Sequence, residues 1–291
     1  MKPAAFDYAR PGTLEEAARL LADTGAGAAA KAMAGSQSLG PMMNLRLARP
    51  GRVVDLTAIP ALRAVTRRAD ALVIGACVTH ADIEDGRVED VTAGLLPHVA
   101  GRIAYRAVRN RGTLGGSLAH ADPAADWLTA LSLVGAVAEL RSPRGGREVA
   151  VSGLMVASFT TVLEPDEIIA AIRVPVAGAG ARWGWTKLSS KVGEFAHGLA
   201  GVFADPARGI FRAAIGALDT APIVLDDAAP LFGGPFGERL DQRLDEAALD
   251  RPLDERGVVD DYVRAMARVA LARAAAQASA RQAGAGEGER A

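Results

Sequence analysis

The apolar positions of the chain fall into short runs broken by glycine and proline, and their spacing switches between helical and strand-like. Leu14, Ala17, Ala18 and Leu21 repeat at the three-and-four interval of one helical face. Thr13 and Glu16 ahead of them predict a capping box, in which each side chain satisfies a free amide of the first turn, and Gly25 predicts the stop. Residues 29–33 read as a short strand and 34–41 as a turn rich in glycine and serine that leads into a short helix through Leu45. After the break at Pro50-Gly51, residues 52–56 read as a second, buried strand. The layout is α/β, but the crossover is shorter than the ~30 residues of a nucleotide-binding βαβ unit.

The middle of the chain has a different rhythm. Residues 71–76 predict a strand, 79–83 a helix start and 95–107 a helix. A second glycine turn, 111–117, runs into Asp122-Pro123, a pair suited to the N-cap and first position of a helix. That helix carries Asp126, Trp127, Leu128 and Leu131 and ends near Gly135. Strands are predicted over 136–141, 147–151 and 167–174, and the small residues of 175–180 mark a boundary. Beyond it, 186–191, 199–204 and 210–218 predict an antiparallel sheet. Val259, Tyr262, Val263, Met266, Val269 and Ala270 predict the buried stripe of a closing helix over 257–282.

These elements define an α+β fold class. A first domain spans 1–176, with a small α/β part (1–56) and an antiparallel-sheet part (57–176). A C-terminal antiparallel sheet with helices spans 181–282, and 283–291 is expected to be a disordered tail.

Composition narrows the function. The 33 basic and 34 acidic residues give a formal charge of −1, which argues against nucleic acid as a partner. The longest apolar stretch, 128–140, is interrupted by Thr, Ser and Gly and falls short of the ~20 residues of a membrane span. The first residues lack an apolar signal core, so a cytoplasmic location is expected. Cys77 is the one cysteine, and His80, His98, His120 and His197 are scattered, so no metal site or cluster is expected on this chain. Redox chemistry, if present, then requires an organic cofactor.

Two glycine turns carry the candidate chemistry. The first reads Ala34-Gly35-Ser36-Gln37-Ser38-Leu39-Gly40-Pro41 and the second Thr113-Leu114-Gly115-Gly116-Ser117-Leu118. Glycine removes the Cβ that blocks close approach, and hydroxyls of Ser36, Ser38, Thr113 and Ser117 add neutral donors. Singly, each is more often plain punctuation than a binding loop. Facing one another, they would hold a diphosphate without a lysine clamp. Neither fits G-x-G-x-x-G or G-x-x-x-x-G-K-[ST].

The string Ala34-Gly35-Ser36-Gln37-Ser38-Leu39-Gly40-Pro41-Met42-Met43-Asn44-Leu45-Arg46-Leu47 resembles the first flavin loop of the FAD subunits of molybdenum hydroxylases. The string from Arg111 through Thr113-Leu114-Gly115-Gly116-Ser117 to Asp122-Pro123-Ala124-Ala125-Asp126 resembles their second loop. Leu163-Glu164-Pro165-Asp166-Glu167-Ile168 and Lys187-Leu188-Ser189-Ser190-Lys191-Val192-Gly193-Glu194-Phe195 follow in the family's order. These are the medium subunits of the carbon monoxide dehydrogenase and xanthine dehydrogenase family.

The resemblance implies that FAD is the cofactor and that both loops contact its pyrophosphate through main-chain amides and hydroxyls. It implies that Asp126 binds FAD, that Leu163 lines the flavin or adenine pocket, and that Lys187 stands by the isoalloxazine and favours its anionic reduced form. Lysine is scarce here, four residues against 29 arginines, which itself singles out Lys187. A solvated strand lysine remains the plain alternative for Lys187, an exposed first-turn carboxylate for Asp126, and core burial for Phe195, which could otherwise shield the ring. Ser36 departs from the family's second glycine and must sit at negative φ or tolerate strain; Ser190 replaces a position often basic.

The implied activity is that of an oxidoreductase subunit with no catalytic side chain of its own. A large subunit with the molybdenum cofactor would hydroxylate substrate, and a small 2Fe-2S subunit would deliver electrons to FAD here and on to an external acceptor. The alternatives are a self-sufficient flavin oxidoreductase and a non-enzymatic nucleotide-binding scaffold.

Overall fold

In the computed structural model, which describes residues 2–23 and 29–280, the chain passes through a parallel sheet, two antiparallel sheets and a small hairpin. The first part contains β1 (Asp7–Ala9), α1 (Leu14–Ala22), β2 (Ala30–Met33), α2 (Leu39–Asn44) and β3 (Arg52–Asp55). Its strands run parallel in the order β1-β3-β2. α1 buries Ala17, Ala18 and Leu21 of its predicted face. Its cap is half of the expected box: Thr13 accepts from the Glu16 amide at 3.2 Å, but the Glu16 carboxylate accepts from the Gly12 amide at 3.0 Å instead of from Thr13. Gly25 lies outside the described residues. β1 is short, polar and exposed, and so lacks the apolar run that marks the other two strands.

The second part is an antiparallel sheet of β4 (Val65–Arg67), β5 (Ala71–Gly75), β6 (Val137–Ser142), β7 (Gly145–Ala150) and β10 (Ile168–Pro175), in the order β4-β5-β10-β6-β7. β8 (Met155–Ala157) and β9 (Thr160–Thr161) form the hairpin. Between β5 and β6 run α3 (His80–Glu84), α4 (Leu95–Ala100), α5 (Arg106–Arg109), α6 (Leu114–His120) and α7 (Asp126–Leu133). Three expectations change here. The helix predicted over 95–107 is two helices, parted where Ala104 takes φ 44°. The segment 111–117 is not a turn throughout, because α6 begins within it, capped by Thr113 accepting from the Gly116 amide at 3.1 Å. Glycine is needed in that first helical turn, since a Cβ on Gly115 would overlap the side chain of Ala76. Asp122-Pro123 does not open α7; Asp122 closes a separate turn by accepting from the Ala124 amide at 2.9 Å.

The third part is an antiparallel sheet of β11 (Arg182–Leu188), β12 (Gly198–Asp205), β13 (Ile210–Gly216) and β14 (Ile223–Leu225), in that order. β12 is buried along its whole length and divides two cores by the two-residue alternation of a strand. Leu199 and Phe203 join the core that includes α7, whereas Ala200 and Val202 join the core under α8 (Glu246–Glu255) and α9 (Asp261–Ala280). The first of these cores also takes in Trp183 and Trp185 and so runs across the predicted boundary at 175–180.

α9 keeps only part of its predicted stripe: Ala270 is buried and Val263 packs against the core, whereas Val269 is exposed. Val259 and Tyr262 are 87% and 56% exposed, and the residues α9 buries are Ala267, Ala270, Leu271, Ala274, Ala275 and Ala278. The cause is the close approach of helix to sheet: a Cβ on Gly184 would overlap the carbonyl of Ala274, and one on Gly198 would lie 2.9 Å from the carbonyl of Met266. Small side chains line the points of closest approach, Leu271 fills the core beside them, and Val259 and Tyr262 stand outside. The predicted end at Gln282 and the tail over 283–291 lie outside the described residues. No helix among those described is long and apolar enough to cross a membrane.

Candidate functional site

The two glycine segments meet. β2 ends at Met33 and delivers Ala34 and Gly35 against the chain entering α6. A Cβ on Gly35 would overlap the carbonyl of Arg111 and stand 2.8 Å from the Cα of Gly112, so this crossing is open to glycine alone. Ala34 lies on the far side of the same junction, 3.7 Å from where a Cβ on Gly116 would stand.

The two segments offer different chemistry. In the first, Ser36 takes φ 59°, the left-handed alternative that its sequence left open. This conformation costs an L-residue about 1–2 kcal/mol. The Gln37 side chain folds back to donate to the Gly35 carbonyl at 2.8 Å. Among the described residues, the amides of Ser36, Gln37, Ser38 and Leu39 and the hydroxyls of Ser36 and Ser38 make no hydrogen bond. Successive open amides around a left-handed residue form the type of concavity that receives anions.

The second segment departs from expectation. Its amides from Leu114 to Ser117 are committed internally: Leu114 donates to Val78 at 3.0 Å, Gly115 to Ala76 at 2.9 Å, Gly116 to Thr113 Oγ1 at 3.1 Å and Ser117 to Thr113 at 3.0 Å. The hydroxyl of Ser117 and the amide of Thr113 have no hydrogen-bond partner among the described residues and are open polar groups of this segment.

Asp126 and Lys187, predicted separately, are brought into direct contact. Lys187 Nζ donates to Asp126 Oδ2 at 2.8 Å and to the carbonyl of Arg102 at 3.3 Å. Both side chains are buried, at 7% and 4% exposure, so neither the solvated lysine nor the exposed first-turn carboxylate describes them. Asp126 is the first residue of α7, and Lys187 projects from β11 toward the same core as Trp183 and Trp185. Burial pushes the Asp126 carboxyl above the usual carboxylate range, against the opposing pull of Lys187 and Arg102. Among the described residues Asp126 Oδ1 is buried with no hydrogen-bond partner, an acceptor left open.

Leu163 follows the β8–β9 hairpin, half-buried against the first core, its amide donating to Thr161 Oγ1 at 3.3 Å. Phe195 is 62% exposed, which removes core burial as its explanation. It lies in the loop between β11 and β12, where Gly193 at φ 84° packs against the carbonyl of Ala104.

Two neighbours were missed in the sequence. His80 is buried and Trp127 fully so, and the indole donates from Nε1 to His80 Nδ1 at 3.0 Å. The signal was available: Thr79 and Asp82 form a complete capping box, which fixes His80 as the first residue of α3.

The fold and its sequence belong to a known class. Residues 4–177 match the family described as the FAD binding domain in molybdopterin dehydrogenase, and the chain belongs to that family. It is therefore a flavoprotein subunit of this oxidoreductase class, with FAD as its cofactor. The carbon monoxide dehydrogenase medium chain of Hydrogenophaga pseudoflava is 34% identical over 287 residues, covering 97% of this chain and 99% of the relative. The 6-hydroxypseudooxynicotine dehydrogenase complex subunit alpha of Paenarthrobacter nicotinovorans is 36% identical over 198 residues, 68% of this chain and 66% of the relative. Among solved structures, the Hydrogenophaga pseudoflava carbon monoxide dehydrogenase lacking the Mo-pyranopterin moiety superposes with a TM-score of 0.84 at 34% identity, over 96% of this chain and 98% of that one.

Proposed function

We propose that this chain is the electron-transfer medium subunit of a heteromeric molybdenum hydroxylase, standing between iron–sulfur clusters on a small 2Fe-2S partner and an external acceptor. A large partner would hold the molybdenum cofactor and the substrate. The observation that carries this reading is the buried Lys187–Asp126 pair, a desolvated cation beside an acceptor oxygen without a protein partner.

FAD supplies the redox chemistry when bound, and the chain's part is to hold and bias it. The open amides of residues 36–39 and the hydroxyls of Ser36, Ser38 and Ser117 fit the diphosphate, with Ala34, Gly35, Thr113, Leu114, Gly115 and Gly116 shaping the space by close backbone approach. Leu163 gives an apolar wall. Lys187 places a fixed positive charge where a reduced ring would gain a negative one, which favours reduction. Asp126 orients Lys187 and keeps Oδ1 as an acceptor for a hydroxyl or N–H of the cofactor. On this reading 1–176 is the flavin-binding domain and 181–282 completes it from the other side of the core, and the assembly works in the cytoplasm.

The test is reconstitution. The purified chain should take up FAD, and substrates of molybdenum hydroxylases should reduce that flavin only when small and large partners are added. No flavin uptake overturns the reading, and reduction by substrate with the lone chain supports the self-sufficient oxidoreductase instead.

A further inference from the structure

The flavin reading leaves unexplained why a histidine is buried behind the crossing of the two glycine segments. His80 is 5% exposed, and three contacts fix its ring and backbone. Its main-chain amide donates to the carbonyl of Gly112 at 3.0 Å. Its Nδ1 accepts from Trp127 Nε1 at 3.0 Å. Its Nε2 edge fills the space where a Cβ on Gly112 would stand, at 2.7 Å. Indole nitrogen only donates, so Nδ1 must be the unprotonated nitrogen and the proton of a neutral ring lies on Nε2.

The packing continues on both sides of that ring. On the far face of Gly112 lies Gly35, whose missing Cβ allows the crossing. On the other side, Trp127 is the second residue of α7, next to Asp126 and hence to Lys187. His80 therefore touches both the place where the two segments meet and the helix that begins with the buried ion pair.

We propose that His80 is a positioning residue for the flavin site: held by Trp127, its ring fixes the 111–113 backbone against Gly35 in register with the Asp126–Lys187 pair. This rests on the flavin reading. Burial, with the Arg109 guanidinium nearby, lowers the His80 pKa to about 4, so the ring is neutral near pH 7 and can keep the indole bond. Its role is geometric, through backbone and helix, with no contact to the cofactor required.

The test compares the full-length chain with His80→Leu, His80→Asn, Trp127→Phe and Leu253→Ala. Leu253 is fully buried in the separate core under α8 and α9, so its truncation is a control for lost stability alone. FAD affinity is read by flavin fluorescence, and the environment of bound flavin by visible circular dichroism and its reduction potential.

Expected are at least tenfold weaker FAD binding and an altered flavin spectrum for His80→Leu, and a several-fold loss for Trp127→Phe, which keeps the histidine but removes the donor. His80→Asn, which can place an acceptor near the indole, should recover most of the affinity. Leu253→Ala should lower the melting temperature and leave affinity and spectrum unchanged. If His80→Leu does not fold, Trp127→Phe and His80→Asn decide by the same readouts. Wild-type affinity, spectrum and potential in His80→Leu or in Trp127→Phe overturn the inference while the flavin reading stands. Failure of the wild-type chain to bind FAD removes both.

Discussion

Lys187 Nζ stands 2.8 Å from Asp126 Oδ2, an ionic contact between the four-stranded sheet and the helix that follows the second glycine segment, added to the apolar core the two share. Both partners are buried, so the attraction is little screened and neither charge has water to replace the other. The pair therefore joins the docking of α7 on the four-stranded sheet to the electrostatics of the site.

Lys187→Met strands Asp126 without its cation. Breaking a buried pair in this way costs about 3–5 kcal/mol. Urea denaturation at neutral pH should show a loss of that order, and Asp126→Asn added to Lys187→Met should recover most of it. The flavin bound to Lys187→Met should also have a more negative reduction potential. A potential equal to wild type would place Lys187 away from the ring.

Gly35 and Ser36 should respond in opposite directions. Gly35→Ala drives a methyl into the Arg111 carbonyl and should separate the two segments. Ser36→Gly relaxes the left-handed backbone at φ 59°. Relief of about 1–2 kcal/mol is partly offset by the greater freedom of glycine in the unfolded chain. The expected net gain is about 0.5 kcal/mol, read as a melting temperature higher by ~1–2 °C. A lower melting temperature for Ser36→Gly would mean that the hydroxyl stabilises the loop.

The seam between α9 and the sheet gives a prediction for the fold alone. Gly184→Ala sets a methyl against the Ala274 carbonyl, where only a shift of helix against strand can make room. Overpacking of this type costs about 1–3 kcal/mol. Thermal melting should show the loss, whereas Val259→Ser, at a position 87% exposed, should leave the melting temperature of the isolated chain within ~1 °C.

The pH dependence of stability should carry the signature of His80. Its folded pKa, about 4, lies below the ordinary histidine value of 6.5, so between these values the unfolded chain binds a proton that the native chain excludes. Stability should therefore fall as pH drops from about 6.5 towards 4, with a limiting slope of about 1.4 kcal/mol per pH unit from this group. His80→Asn should flatten that part of the profile. An unchanged slope would mean that other groups dominate acid unfolding.

Much of this was legible in the sequence, for physical reasons that differ from residue to residue. Ala17, Ala18 and Leu21 were readable because a surface helix must show its core face as a period. The roles of Asp126 and Lys187 came from resemblance, with lysine scarcity a second pointer to Lys187, and their pairing was not readable, since nothing in their separation tells that a helix start and a strand 61 residues later converge. The α9 stripe misled because amphipathic spacing identifies an apolar face but not the distance to its neighbour. At Gly184 the strand lies directly against the backbone of Ala274 and Ala278, where the helix carries alanine. The segment Thr113–Ser117 misled in a similar way: its glycines suggested open amides, whereas they let α6 press against Ala76 and consume those amides internally.

The crossing of the two glycine segments beside the buried Lys187 is the proposed FAD site. Fluorescence titration of the wild-type chain and Gly35→Ala with FAD tests it most directly, with far-ultraviolet circular dichroism to verify that both are folded. One FAD should bind per wild-type chain, and binding should be lost, or at least tenfold weaker, in folded Gly35→Ala. Equal FAD binding by the two proteins, or none by the folded wild-type chain, would contradict it.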